Sequence, residues 1–143
     1  MTGHSKHLQN PRAAAEHIYH LWGEAHEAGD VEALLELYAP EAVLESPLVP
    51  KLLGKDDGIC RGRAELAAYF QRSVERRPPE RRYHRTFFFT DGERLFFEYP
   101  RRTPEGDQID LAMVMELKGG LIQHHRIYVG WYGVGILERD EYR

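Results

Sequence analysis

The stretch Phe87-Phe88-Phe89-Thr90-Asp91-Gly92-Glu93-Arg94-Leu95-Phe96-Phe97 decides the fold class. Two aromatic-rich runs flank Asp91-Gly92. Asp-Gly between such runs is a type I′ hairpin signal, because both central residues need a positive φ. The runs predict strands over 82–90 and 93–102. A sheet with one wet face alternates apolar and polar side chains. Three successive phenylalanines and Leu95-Phe96-Phe97 place apolar groups on both faces, so both faces need covering.

Downstream, residues 108–117 and 121–131 predict a second hairpin through Lys118-Gly119-Gly120. Upstream, the period lengthens to that of a helix. Asn10 is a good N-cap and Pro11 a good first helical residue. Ala14, Ile18, Leu21, Trp22 and Ala25 then form one apolar stripe as far as Ala28, and Gly29 ends the helix. Asp30 caps a second helix, Val31 to Tyr38, with Leu34, Leu35 and Tyr38 on its apolar side and Pro40 closing it. Ala42 to Ser46 reads as a short strand. Residues 47–59 read as a loop, with Leu48, Val49, Leu52 and Leu53 either packing on the core edge or forming a flap over a pocket. A third helix runs from Arg63 to about Arg77, with Leu66, Tyr69, Phe70 and Val74 inward, and stops at Pro78-Pro79.

Helices first and strands after mean an α+β domain with helices on one face of an antiparallel sheet. Helices can cover only that face. The apolar outer face therefore predicts a homodimer.

The chain has 143 residues, 42% of them hydrophobic and 29% charged. That is one domain's length: a tail over 1–10 and a single domain over 11–143. With 23 acids against 19 bases and a net charge of −4, nucleic acid is not an expected partner. No apolar run is long enough to span a membrane. The first ten residues lack the apolar core of a secretory signal, and Cys60 is the only cysteine. Both point to the cytoplasm.

This order of elements resembles the nuclear transport factor 2-like superfamily, whose members have a cone-shaped curved sheet with three helices on its concave face, a cystatin-like roll. The stretch from Glu24 to Val43 resembles the superfamily's helix–Gly-Asp–helix opening. Cys60-Arg61-Gly62-Arg63-Ala64-Glu65-Leu66 is similar to its third-helix start. Within the superfamily the SnoaL-like and ketosteroid-isomerase-like branches resemble this chain most. The resemblance implies one apolar pocket at the open end of the cone, a small hydrophobic ligand and no cofactor. Ketosteroid isomerase uses an aspartate base, with a tyrosine and a protonated aspartate as oxyanion donors. The matching positions here are Ser46, Trp22 and Met113, and a supporting tyrosine is replaced by Phe70. Isomerase chemistry by that route is not expected.

The superfamily's register implies that Leu95, Phe97 and Tyr99 face the cavity, joined by His84, Thr86 and Phe88 across the hairpin. Counting back from Met113 sends His124, Arg126 and Tyr128 inward and His125, Ile127 and Val129 outward. The expected pocket therefore gathers Trp22, Ser46, Phe70, Tyr99, Met113, His124 and Tyr128 for binding, with His84 and Arg126 as the catalytic candidates. A histidine titrates near neutral pH, and an arginine in an apolar cavity would clamp an anion or enolate. The expected activity is cofactor-free proton transfer: isomerisation, cyclisation or dehydration. The alternative is a non-catalytic ligand-binding or dimerisation module. Adjacent strand residues point to opposite faces, so His124 and His125 cannot share a metal.

Overall fold

The computed structural model describes residues 10–75, 86–102 and 107–138. The tail, the end of the third helix at Pro78-Pro79 and the start of the aromatic strand, His84 included, lie outside these residues.

The first helix α1 spans Pro11–Ala28, with the Asn10 side chain accepting from the backbone of Arg12 and Ala13 and Gly29 in the left-handed region at φ 72°. Its buried stripe is Ala14, Ile18, Trp22 and Ala25, extended by Ala15 and His26. Leu21 lies outside the stripe and is exposed. The second helix, α2, covers only Val31–Leu35, capped by Asp30. Strand β1, Tyr38–Glu45, begins earlier than the sequence predicts. Tyr38 is a strand residue, and Pro40 sits where pairing with the strand Leu121–Val129 is irregular, between Tyr38 and Val43. A proline is tolerated there because the ladder is already broken.

Residues 49–53 form a short helix α3, Val49–Leu53. Leu48, Val49 and Leu52 are buried, so these aliphatics pack into the core. Strand β2 is Ile59–Arg61 and the long helix α4 is Gly62–Glu75. The remaining strands are β3 Phe88–Thr90, β4 Arg94–Glu98, β5 Arg101–Arg102, β6 Gln108–Ile109, β7 Leu111–Lys118 and β8 Leu121–Val129. A last helix, α5, spans Trp131–Glu138.

The main sheet has the order β2-β1-β8-β7-β4-β3 and is curved but unclosed, with β5 and β6 forming a separate ribbon. The expected long strand over 93–102 is cut at Pro100, which lacks an N–H for the ladder. Tyr99 still donates its N–H to the Leu111 carbonyl at 2.8 Å. Helices α1, α2 and α4 lie on the concave side, over a core of Ile18, Trp22, Leu34, Leu66, Phe70, Leu95, Phe97, Met113, Met115 and Ile122.

One irregularity sets the face of every residue in the second half of β8. Leu117 pairs with Ile122, but Glu116 pairs with His124. Gln123 is therefore an extra residue, a β-bulge, and a bulge reverses the in–out alternation beyond it. From there Met115 lies opposite His125 and Met113 opposite Ile127.

Both hairpins form, but the first turns through four residues, Asp91 to Arg94, with Thr90 opposite Leu95, in place of the two-residue turn expected at Asp91-Gly92. The second turns at Gly119-Gly120, between Lys118 and Leu121. Gly92 has φ 94°, and a Cβ there would lie 3.0 Å from the Pro11 side chain. Gly92→Ala should lower unfolding free energy by about 1–2 kcal/mol, the cost of a left-handed non-glycine residue. Urea melts of the two proteins check this.

Candidate functional site: a polar interior and an adjoining groove

The concave face holds more polar groups than a simple core. Trp22 Nε1–H donates to Tyr38 Oη at 2.9 Å. Tyr38 Oη lies 2.8 Å from His125 Nδ1, and His125 Nε2 lies 3.2 Å from Met113 Sδ. All four residues are at most 4% exposed. Burial, with His124 and Arg126 nearby, pushes the His125 pKa down to about 3, so its ring is neutral. Burial likewise drives the Tyr38 hydroxyl far above its ordinary range.

A second pair adjoins the first. His26 lies four residues beyond Trp22, and the two rings stack with centroids 4.9 Å apart at 15°. His26 Nδ1 lies 2.9 Å from Tyr99 Oη. Tyr99 meets the indole edge to face at 5.0 Å. Nearby, Tyr69 Oη donates to Ser46 Oγ at 3.1 Å, and Ser46 Oγ also accepts the Leu48 N–H. Trp22, His26, Tyr69, Phe70, Ser73, Tyr99 and Met113 enclose a void of about 10 Å³, which has room for at most one water molecule. On the other side of Tyr99 lies an open groove of about 300 Å³, lined by Tyr19, His20, Gly23, Glu24, Glu27, Thr86, Phe97, Glu98 and Tyr99. Tyr99 is thus common to void and groove.

Among the expected binding residues, Trp22, Phe70, Tyr99 and Met113 line this void, and Ser46 touches it through Tyr69. The inward direction expected for His124, Arg126 and Tyr128 is corrected. The bulge at Gln123 turns them to the convex face and brings His125 and Ile127 inside. There His124 pairs with Glu45, and Arg126 with Glu116. The Arg126 guanidinium holds the Glu116 carboxyl below its ordinary range. Tyr128 is 55% exposed. The catalytic candidate His84 lies outside the described residues.

Two histidines missed by the sequence reading belong to the interior. His26 continues the Ile18, Trp22 spacing by one more turn, which is a legible signal. His125 required the bulge. Cys60 is buried, and burial pushes its thiol pKa up to about 11. No group of three metal-ligating side chains occurs among the described residues, and none of their helices is long and apolar enough to cross a membrane.

The SnoaL-like domain model matches residues 16–125. The chain therefore belongs to the SnoaL-like family, and its fold is that of solved NTF2-like proteins. No curated protein matches it. It is similar to an NTF2-like protein of unknown function from Mesorhizobium loti, at 21% identity and TM-score 0.65 over 82% of this chain and 91% of that one. An NTF2-like protein from Anabaena variabilis gives TM-score 0.69 at 15% identity, over 85% and 90% of the two chains. The epoxide hydrolase/cyclase-like enzyme SalBIII, described as acting in pyran ring formation in polyether salinomycin, gives TM-score 0.58 at 20% identity, over 87% and 93%.

The neutral His125 makes a stability prediction with a definite sign. Its pKa of about 3 in the fold compares with about 6.5 in an unfolded chain. Between those values the unfolded chain binds the proton and the fold does not. Stability is therefore full above about pH 6.5 and falls as pH drops toward 3, by up to about 1.4 kcal/mol per pH unit. His125→Asn cannot titrate. Urea unfolding at a series of pH values should show the wild type losing stability on acidification more steeply than His125→Asn.

Proposed function

We propose that this protein binds a small hydrophobic molecule in the groove beside α1 and moves a proton on it through Tyr99 and His26, without a cofactor. The supporting observation is the 2.9 Å contact between Tyr99 Oη and His26 Nδ1, on a tyrosine that lines both the interior and the groove. A groove of about 300 Å³ is at the lower end of small-molecule sites. The void behind it is too small for a substrate, so the ligand lies in the groove against Tyr99.

In this reading the Tyr99 oxygen takes a proton from the substrate as its own proton passes to His26 Nδ1. Return of that proton to another atom completes an isomerisation. Delivery to a departing hydroxyl releases water and completes a dehydration. The ring-forming role described for SalBIII is consistent with the cyclase version of this chemistry. The test is turnover across a panel of small apolar ketones, epoxides and polycyclic phenols. His26→Ala and Tyr99→Phe should each lower it roughly 10²–10⁴-fold, whereas Arg126→Ala, on the convex face, should not. A loss confined to His84→Ala and Arg126→Ala would favour the residues expected from the sequence instead. The closely filled interior also favours a second reading, a binding module without chemistry. Saturable binding of such a compound with no turnover in the wild type would establish it.

The proposed partner is a second copy across the convex face. Phe89 is 65% exposed and Tyr128 55%, and Phe89 pairs with Phe96 in the ladder. Phe89→Glu should convert the sedimenting species from dimer to monomer without lowering helix content. The lone buried Cys60 thiol supports a reducing, cytoplasmic location.

A further inference from the structure

We infer that Tyr38 and His125 are positioning residues for the His26–Tyr99 pair, acting through the indole of Trp22. The inference rests on the reading that this pair is the reacting one.

The two ends of the buried chain fix every proton in it. The indole Nε1–H can only donate, so Tyr38 Oη is the acceptor at 2.9 Å. At the far end Met113 Sδ has no proton to give, and His125 Nε2 faces it at 3.2 Å. His125 therefore carries its proton on Nε2, and its bare Nδ1 accepts the Tyr38 hydroxyl at 2.8 Å. Each hydrogen bond has one direction, and reversing any of them leaves two donors or two acceptors facing each other.

The consequence is a fixed indole plane. If Trp22 turned, its N–H would leave Tyr38, the acceptor that the chain provides for it. That plane is the surface on which His26 stacks, and its ring also meets Tyr99 edge to face. One side chain thus orients both partners of the 2.9 Å contact. A stacked indole face also favours a cation above it, so it stabilises the imidazolium formed when His26 accepts the proton. His125, 5.8 Å from the same indole, must then stay neutral, because a second cation there would oppose the first. The other titratable groups around His26 are Tyr99 and Tyr69 in the void, and Glu24, Glu27 and Glu98 beyond Tyr99 in the groove.

Imidazole ¹⁵N spectra of the full chain test this without any ligand. In the wild type His125 should show the neutral Nε2–H tautomer throughout about pH 5 to 8, the range in which an ordinary histidine changes charge. Tyr38→Phe and His125→Leu should shift the His26 ring nitrogens and the Trp22 indole N–H. His125→Asn, which sets a side-chain carbonyl where Nδ1 stood, should restore both. A merely structural role lowers the melting temperature and leaves the His26 signals in place. Folded Tyr38→Phe or His125→Leu protein with wild-type His26 signals would overturn the proposal. If both fail to fold, His125→Asn decides: wild-type His26 and indole signals support the proposal, and displaced ones overturn it. Failure of the functional reading looks different: His26→Ala keeps full turnover while the spectra behave as expected.

Discussion

Trp22 carries a buried proton that has to be accepted by something. Leaving a donor of this kind unpaired costs about 1–3 kcal/mol, a large share of a small domain's stability. Tyr38 accepts it, and Tyr38 in turn needs His125. This one requirement ties α1 to β1 and β8. It also explains two departures from simple sequence patterns. Tyr38 has to be in a strand to reach across, although its apolar spacing continues α2. And β8 has to show His125 to the interior, although His125 sits between two polar residues.

The bulge at Gln123 is what reconciles these demands. Ile122 and Ile127 are both buried, yet they are five positions apart. An odd spacing cannot keep two residues on one face of a regular strand. The extra residue was therefore implicit in the sequence: an unbroken strand forces Arg126 into the core and Ile127 out of it. Counting from Met113 through an ideal hairpin misses this because it treats register as a property of the turn alone. The turn at Gly119-Gly120 was legible from glycine chemistry, and so were the caps of α1, since these depend on neighbours in sequence. Trp22, Phe70, Tyr99 and Met113 face the interior, since no bulge lies between them and their reference points. What was not legible depended on contacts between distant strands.

The aromatic residues divide among three tasks, and their exposure separates them. Trp22, Phe70, Phe97 and Tyr99 are almost fully buried, while Phe87 and Phe89 are exposed on the outer side. Tyr19 and Phe88 lie between, packed on each other with centroids 4.7 Å apart. A chain that only needed a core would have no reason to keep a hydroxyl on Tyr99 or an imidazole at His26. Phenylalanine and leucine fill such positions without needing partners. The interior instead carries polar groups in matched pairs, with a void beside them of no more than about 10 Å³. Such an interior is rigid, because each member restrains another.

Rigidity at that place also separates the histidines by role. His124 and His125 are neighbours in sequence, but one faces water beside Glu45 and the other is sealed against Met113. His124 is paired with Glu45 on the convex face and has no enclosed partner to act on. His125 is held neutral and its proton is committed, so it cannot act as a base near neutral pH. His26 differs from both. It is buried, stacked on a fixed ring, and faces a hydroxyl that can itself give or take a proton. Of the three, it alone combines a proton acceptor, a proton-bearing partner and a wall that favours its charged form. This is why the proposed proton transfer is assigned to His26 on α1 and Tyr99 just after β4, and not to β8.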